Sequence, residues 1–152
     1  MAAEDEAQLQ TMITRWASGE LTLKEIKGYT DDELYAIAHQ GYFFLMQGKN
    51  AEARTIFEGL VAIDPRNDYY YRALGVIYHK MGDAERAIRQ FTYATRVSPY
   101  GMAAYVNRAE VYVATRRTAE ARRDLGQALS LVAPGAVDPL SRKARTLLAF
   151  LS

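Results

Sequence analysis

The chain has 152 residues, 49% of them hydrophobic and 24% charged, an ordinary globular composition with length enough for one domain and a real core. Its 19 basic and 18 acidic residues leave a net charge of +1, so bulk electrostatics give no reason to expect a nucleic acid partner. Cysteine is absent, which excludes disulfides, thiolate metal sites and a cysteine nucleophile and suits a reducing compartment.

The amino terminus, MAAEDEAQ, is acidic where a secretory signal would be basic and then apolar, and no apolar run reaches membrane-spanning length. A soluble, cytoplasmic protein without direct membrane insertion is expected. Residues 1–34 hold 3 basic and 8 acidic groups, whereas residues 101–152 hold 8 and 4. Leu9, Met12, Ile13 and Trp16 fall on one stripe of a first helix, with Glu4, Asp5 and Glu6 placed favourably near its amino end and Gly19 ending it. That stripe is expected to mediate self-association, the alternative being that it fills a groove of its own chain. Thr22 to Gly28 reads as a short helix or turn.

From Leu34 onward the chain repeats itself every 34 residues: Gly41, Gly75 and Ala109; Phe44, Tyr78 and Tyr112; Ala53, Ala87 and Ala121; Phe57, Phe91 and Leu125; Pro65 and Pro99. Small, aromatic, small, aromatic and proline positions in this order are the pattern of the tetratricopeptide repeat, a helix-turn-helix unit. The expected fold is all-α, with three repeats (34–67, 68–101 and 102–135) in a right-handed superhelical stack between an N-terminal helix and a C-terminal capping helix. Residues 1–29 thus form an N-terminal helical segment, 30–135 the repeat region and 136–152 the cap. Gln40 and Arg108 replace a usual apolar residue, and Arg116 stands where the turn glycine belongs.

Local signals agree with these boundaries. Thr30 with Glu33 makes a capping box ahead of the first repeat. Asp68 and Asp83 are candidate caps for the two helices of the second repeat. Asp138 followed by Pro139 opens a terminal helix, in which Leu140, Ala144, Leu147, Leu148 and Leu151 make one apolar stripe.

Tyr69, Tyr70 and Tyr71 are consecutive, so they point in three directions on a helix. The repeat register assigns Tyr71 to the core, Tyr69 to the concave surface and Tyr70 to a partly exposed edge. The concave positions of the first helices are Tyr35, Ala38, Tyr42 and Leu45, then Tyr69, Arg72, Val76 and His79, then Ala103, Val106, Glu110 and Val113. A helix apolar on both sides implies a partner, and a strip of aliphatic and tyrosine side chains suits an extended peptide.

Nothing comparable supports catalysis. His39 and His79 lie in different repeats with no acid, nucleophile or third ligand arranged around them, so no metal site or cofactor is expected. Asp31 and Asp32 sit at a helix start, where capping and the helix dipole account for them. No glycine-rich phosphate loop occurs, and an enzyme is the least favoured class.

Three stretches, DDELYAIAHQGYFFLMQGKNAEARTIFEGLVAIDP, LGVIYHKMGDAERAIRQFTYATRVSP and NRAEVYVATRRTAEA, together resemble the class II chaperones of bacterial type III secretion, which guard hydrophobic translocator proteins. GELTLKEIKG is similar to that family's pre-repeat segment, and Ala109 and Glu110, before an apolar residue and Tyr112, to its third-repeat pattern. The resemblance implies a cytoplasmic bacterial chaperone, a homodimer through amino-terminal segments, that holds an extended translocator segment in its concave groove before export. It implies that Tyr42, Leu45, Tyr69, Val76 and Glu110 touch that segment. Ala38 and Asn107 depart from the family, which often has an aromatic and a histidine there. The alternative is a tetratricopeptide-repeat scaffold for secretion or pilus assembly, or a regulator acting through protein contacts. A carboxylate clamp of the cochaperone kind is missing, since its positions hold Ala38, Tyr42, Ala73, Ala103 and Asn107.

Overall fold

The computed structural model describes every residue from Met1 to Ser152, and all its regular structure is helical. The nine helices in chain order are α1 (Ala2–Ala17), α2 (Leu23–Lys27), α3 (Asp31–Met46), α4 (Asn50–Ile63), α5 (Asp68–Lys80), α6 (Ala84–Val97), α7 (Met102–Ala114), α8 (Thr118–Ser130) and α9 (Pro139–Phe150). Helices α3 with α4, α5 with α6 and α7 with α8 pack as pairs, and each pair leans on the next through α4 with α5 and α6 with α7.

Packing inside a pair depends on a small residue facing a large one. A Cβ on Gly41 would stand 2.7 Å from the Phe57 ring, and one on Gly75 2.6 Å from the Phe91 ring, closer than carbon atoms tolerate. The third pair uses Ala109 over the smaller Leu125, both fully buried. One core cluster runs from Leu34 to Phe91 and takes in Val111; a second joins Met102, Val106, Ala109, Leu125 and Ala128 to Ala144 of α9. Helix α9 packs on α8 and α7 as each first helix packs on the pair before it, with Leu140, Leu147, Leu148 and Leu151 against the second cluster. It therefore shields the end of the stack.

The helix ends follow local chemistry. Thr22 with Glu25 and Thr30 with Glu33 are both full capping boxes, of which the first was not read from sequence. Asp83 and Asp138 cap α6 and α9 as expected. Helix α5 is capped instead by Asn67, whose side chain accepts from the Tyr69 N–H. Asp68 lies one residue inside the helix, where its carboxylate accepts from Arg72 Nε at 2.8 Å.

The tyrosine triplet exchanges two roles. Tyr70 is 1% exposed and meets Tyr35 edge-on at 6.3 Å, whereas Tyr71 is only half-buried, tilted against Tyr93. The reason is the stacking: Tyr70 faces the preceding pair, a direction that repeat-internal spacing does not describe. The equivalent residue of the third repeat, Ala104, is buried in the same way.

Helix α1 buries none of its residues and makes no substantial packing contact with another helix. Its end is tied down by Arg66 from the α4–α5 turn, which donates to the carbonyls of Gly19 and Glu20 at 2.9 and 3.1 Å. Leu9, Ile13 and Trp16 are exposed and Met12 half-buried. The neighbouring face of the first repeat is also open: Phe43 is 56% exposed, while its repeat equivalents Ile77 and Val111 are fully buried.

Candidate functional site: an apolar cleft on the concave face

The first helices bring five of the expected groove residues into one cleft of about 160 Å³, which Tyr42 and Leu45 line from α3, and Tyr69, Arg72 and Val76 from α5. Phe57 of α4, Ala73 of α5 and Asn107 of α7 complete it. Six of these eight residues are hydrophobic, and the two polar ones are Arg72 and Asn107.

Tyr69 is the hub. Its ring meets Phe57 edge-on at 6.1 Å and Tyr70 at 5.7 Å, and the Arg72 guanidinium lies over it at 5.8 Å. Burial pushes the Tyr69 hydroxyl above its ordinary pKa of 10.0, so it stays a neutral donor throughout the physiological range. Arg72 is held from two sides, by this ring and by Asp68, so its charge is locally balanced. Tyr42 opposite is half exposed.

The remaining groove candidates are placed differently. Ala38 is 1% exposed because Leu34, Ala38, Gly41 and Leu45 form the buried stripe of α3, one position round from Tyr35 and Tyr42. Val106 is fully buried, on a stripe with Met102 and Ala109 that meets α9. Both are core residues and offer a ligand no surface, which corrects their assignment to the groove. Leu45 shares the buried stripe of α3 yet still reaches the cleft. Tyr35 is exposed beside Tyr70, His79, Ala103 and Val113 are half-buried outside the cleft, and Glu110 is ion-paired with Lys143 of α9.

Phe57, Ala73 and Asn107 were not among the groove residues read from sequence. The repeat register assigns concave positions to the first helices alone, whereas Phe57 belongs to a second helix, drawn close by Gly41. Ala73 and Asn107 share the sixth position of successive repeats, one residue on from the concave fifth position.

A larger polar recess of about 430 Å³ lies between α2, the start of α3 and the α4–α5 turn. Its charges satisfy one another: Lys24 pairs with Asp31 and, at 3.2 Å, with Asp64, and Arg66 pairs with Glu25 at 3.4 Å. Hydrogen bonding to Asp31 raises the Lys24 pKa, while the Thr22 N–H holds the Glu25 carboxyl below its ordinary value. The recess fastens the pre-repeat segment to the repeats. No group of three or more histidine, aspartate or glutamate side chains is placed to hold a metal ion, and no helix is long and apolar enough to cross a membrane.

Stacked helix pairs, a small-over-large contact at a 34-residue step and a terminal shielding helix define a tetratricopeptide-repeat fold. A family model described as tetratricopeptide repeat matches residues 72–139. Among solved structures, the type III secretion translocator chaperone SycD of Yersinia enterocolitica is similar with a TM-score of 0.81 and 21% identity, over 86% of this chain and 98% of that one. SycD in complex with a peptide of the translocator YopD is similar with a TM-score of 0.73 and 22% identity, over 80% and 94%. PcrH, known from Pseudomonas aeruginosa, in complex with the chaperone binding region of PopD matches with a TM-score of 0.74 and 22% identity, over 82% and 94%. No curated protein sequence matches the chain.

Proposed function

We propose that this protein is a type III secretion chaperone that binds an extended segment of a hydrophobic translocator protein in its concave groove and keeps it soluble before export. The observation that carries the reading is the cleft between Tyr42 and Val76, apolar on a face that a free-standing helix would keep polar. The likeness to two chaperones solved with translocator peptides supports the same use of the groove. Covering an aggregation-prone segment competes with its self-association by mass action, and needs no catalysis or cofactor. The contacts are Tyr42, Leu45, Tyr69, Arg72 and Val76, with Tyr35, His79, Glu110 and Val113 further along the surface. The site of action is the bacterial cytoplasm.

Residues 1–29 serve self-association, 30–135 form the repeats and 136–152 the cap. Helix α1 displays Leu9, Ile13 and Trp16 without a core to enter, and an isolated helix of its 16 residues is marginal in water. The open face around Ile37 and Phe43 presents apolar surface, and at Phe43 the later repeats bury the equivalent residue. A homodimer that seats the α1 stripe on this face covers both.

Co-expression with hydrophobic translocators encoded beside the gene, followed by affinity capture and native mass measurement, tests the proposal. A soluble stoichiometric complex that is lost in Tyr42→Ala, with the melting temperature unchanged, supports it. Translocators left insoluble beside a well-folded chain overturn it.

A further inference from the structure

An extended segment entering the cleft brings an N–H and a C=O for every residue, and burying either without a partner is unfavourable. An apolar floor alone would therefore reject the main chain of the very segment whose side chain it accepts. We propose that Arg72 and Asn107 form a main-chain clamp that satisfies the backbone of one cargo residue while the cleft takes its aliphatic side chain. This rests on the peptide-binding reading above and names what the site recognises: a neutral amide flanking an apolar anchor, not a carboxylate.

Three features carry the inference. Apart from the hydroxyls of Tyr42 and Tyr69, the hydrogen-bonding side chains of the cleft are Arg72 and Asn107, which line it from α5 and α7. Arg72 uses Nε on Asp68, which leaves the two Nη groups as donors, and the Tyr69 ring holds the guanidinium in place. Asn107 carries a donor and an acceptor on one planar group, matching the C=O and N–H of one residue in an extended strand. The Asp68 carboxylate decides against an acidic ligand: it neutralises Arg72, so a second carboxylate would meet repulsion as well as attraction. The about 160 Å³ available suits one branched aliphatic side chain beside the main chain.

The test is an array of overlapping 12-residue peptides from the neighbouring translocators, probed with wild type, Arg72→Met and Asn107→Leu, with circular dichroism melts to establish folding. Asn107→Gln is included as a second variant that keeps the amide. Wild type is expected to retain peptides that share one large aliphatic residue. Asn107→Leu is expected to weaken all of them by a similar factor, about tenfold, whatever charges flank the anchor, and replacing the anchor's amide by an ester should mimic that loss. Loss confined to peptides with an acidic flank, or equal binding by all variants, overturns the clamp and leaves the groove reading standing. Failure of wild type to retain any peptide while it still captures the intact translocator removes the clamp alone. Failure with both removes the groove reading too.

Discussion

The Arg108 guanidinium lies in bidentate register on the Asp124 carboxylate, with Nε to Oδ2 and Nη2 to Oδ1 both at 2.7 Å, while Nη1 donates to Thr92 Oγ1 at 2.9 Å. One side chain thereby joins α6, α7 and α8 from a position where a tetratricopeptide repeat usually carries an apolar residue.

Removing one partner of this pair leaves the other charge stranded inside the protein. Arg108→Ala is expected to cost about 3–5 kcal/mol in urea denaturation, because Asp124 is 4% exposed. The double variant Arg108→Leu with Asp124→Leu should recover most of that loss, since a well-packed apolar pair of similar volume commonly equals a buried ion pair. A double variant as unstable as the single one would mean that the bond to Thr92 matters more than the carboxylate.

Arg116 is the one residue other than glycine with positive φ, at 59°, and it occupies the turn that Gly48 and Gly82 make at 74° and 80° in the earlier repeats. The left-handed conformation costs an L-residue with a Cβ about 1 kcal/mol. Arg116→Gly is therefore expected to raise stability by up to that amount, less the entropy that glycine adds to the unfolded chain. Equilibrium unfolding of the variant checks the sign; a clear loss would show that the Arg116 side chain stabilises the turn.

Phe43→Glu places a charge on the open face of the first repeat without touching the core. Combined measurement of mass by sedimentation and of melting should show a smaller species with an unchanged repeat fold. Deleting residues 1–20 should likewise give single protomers of the shortened chain. An unchanged number of protomers in both would detach α1 and the α3 face from self-association.

The Tyr70 hydroxyl is pushed up to about 12 by burial, from an ordinary 10.0. The neutral form is thus favoured in the folded state, so its contribution to stability is complete below pH 10 and falls away as pH rises toward 12. Tyr70→Phe cannot ionise and should show a shallower loss of stability across that window. Parallel urea titrations at pH 9 and pH 11 make the comparison, and identical slopes would place the alkaline sensitivity on other tyrosines.

The repeat period was legible because glycine over phenylalanine and proline at a fixed step are consequences of packing within one pair, and Gly41, Gly75, Phe57 and Phe91 behave as that spacing requires. The groove was legible where a first-helix position faces solvent in every repeat, as Tyr42, Tyr69 and Val76 do. It failed at Ala38 because the buried stripe of its own helix, Leu34, Ala38, Gly41 and Leu45, runs one position round from Tyr35 and Tyr42. It failed at Val106, covered by α9, and at Tyr70, buried by the preceding pair, because a single period does not encode a neighbour outside the unit. Asn67 displaced Asp68 as the cap of α5 because both residue types serve there and the helix start differs by one residue.

Gly41 sits under Phe57 and Gly75 under Phe91, but Ala109 meets Leu125, so bulk removed from the second helix of the third pair is returned partly on the first. Each pair is a matched set with its own tolerance. Chimeras that exchange segments between the third repeat and either of the others should therefore be cut in the turns between pairs, near Asn67 or Gly101, and never in the turns within them. A crossover at Gly82 would set Gly75 over a leucine or Ala109 over a phenylalanine, giving a void in one product and a clash in the other.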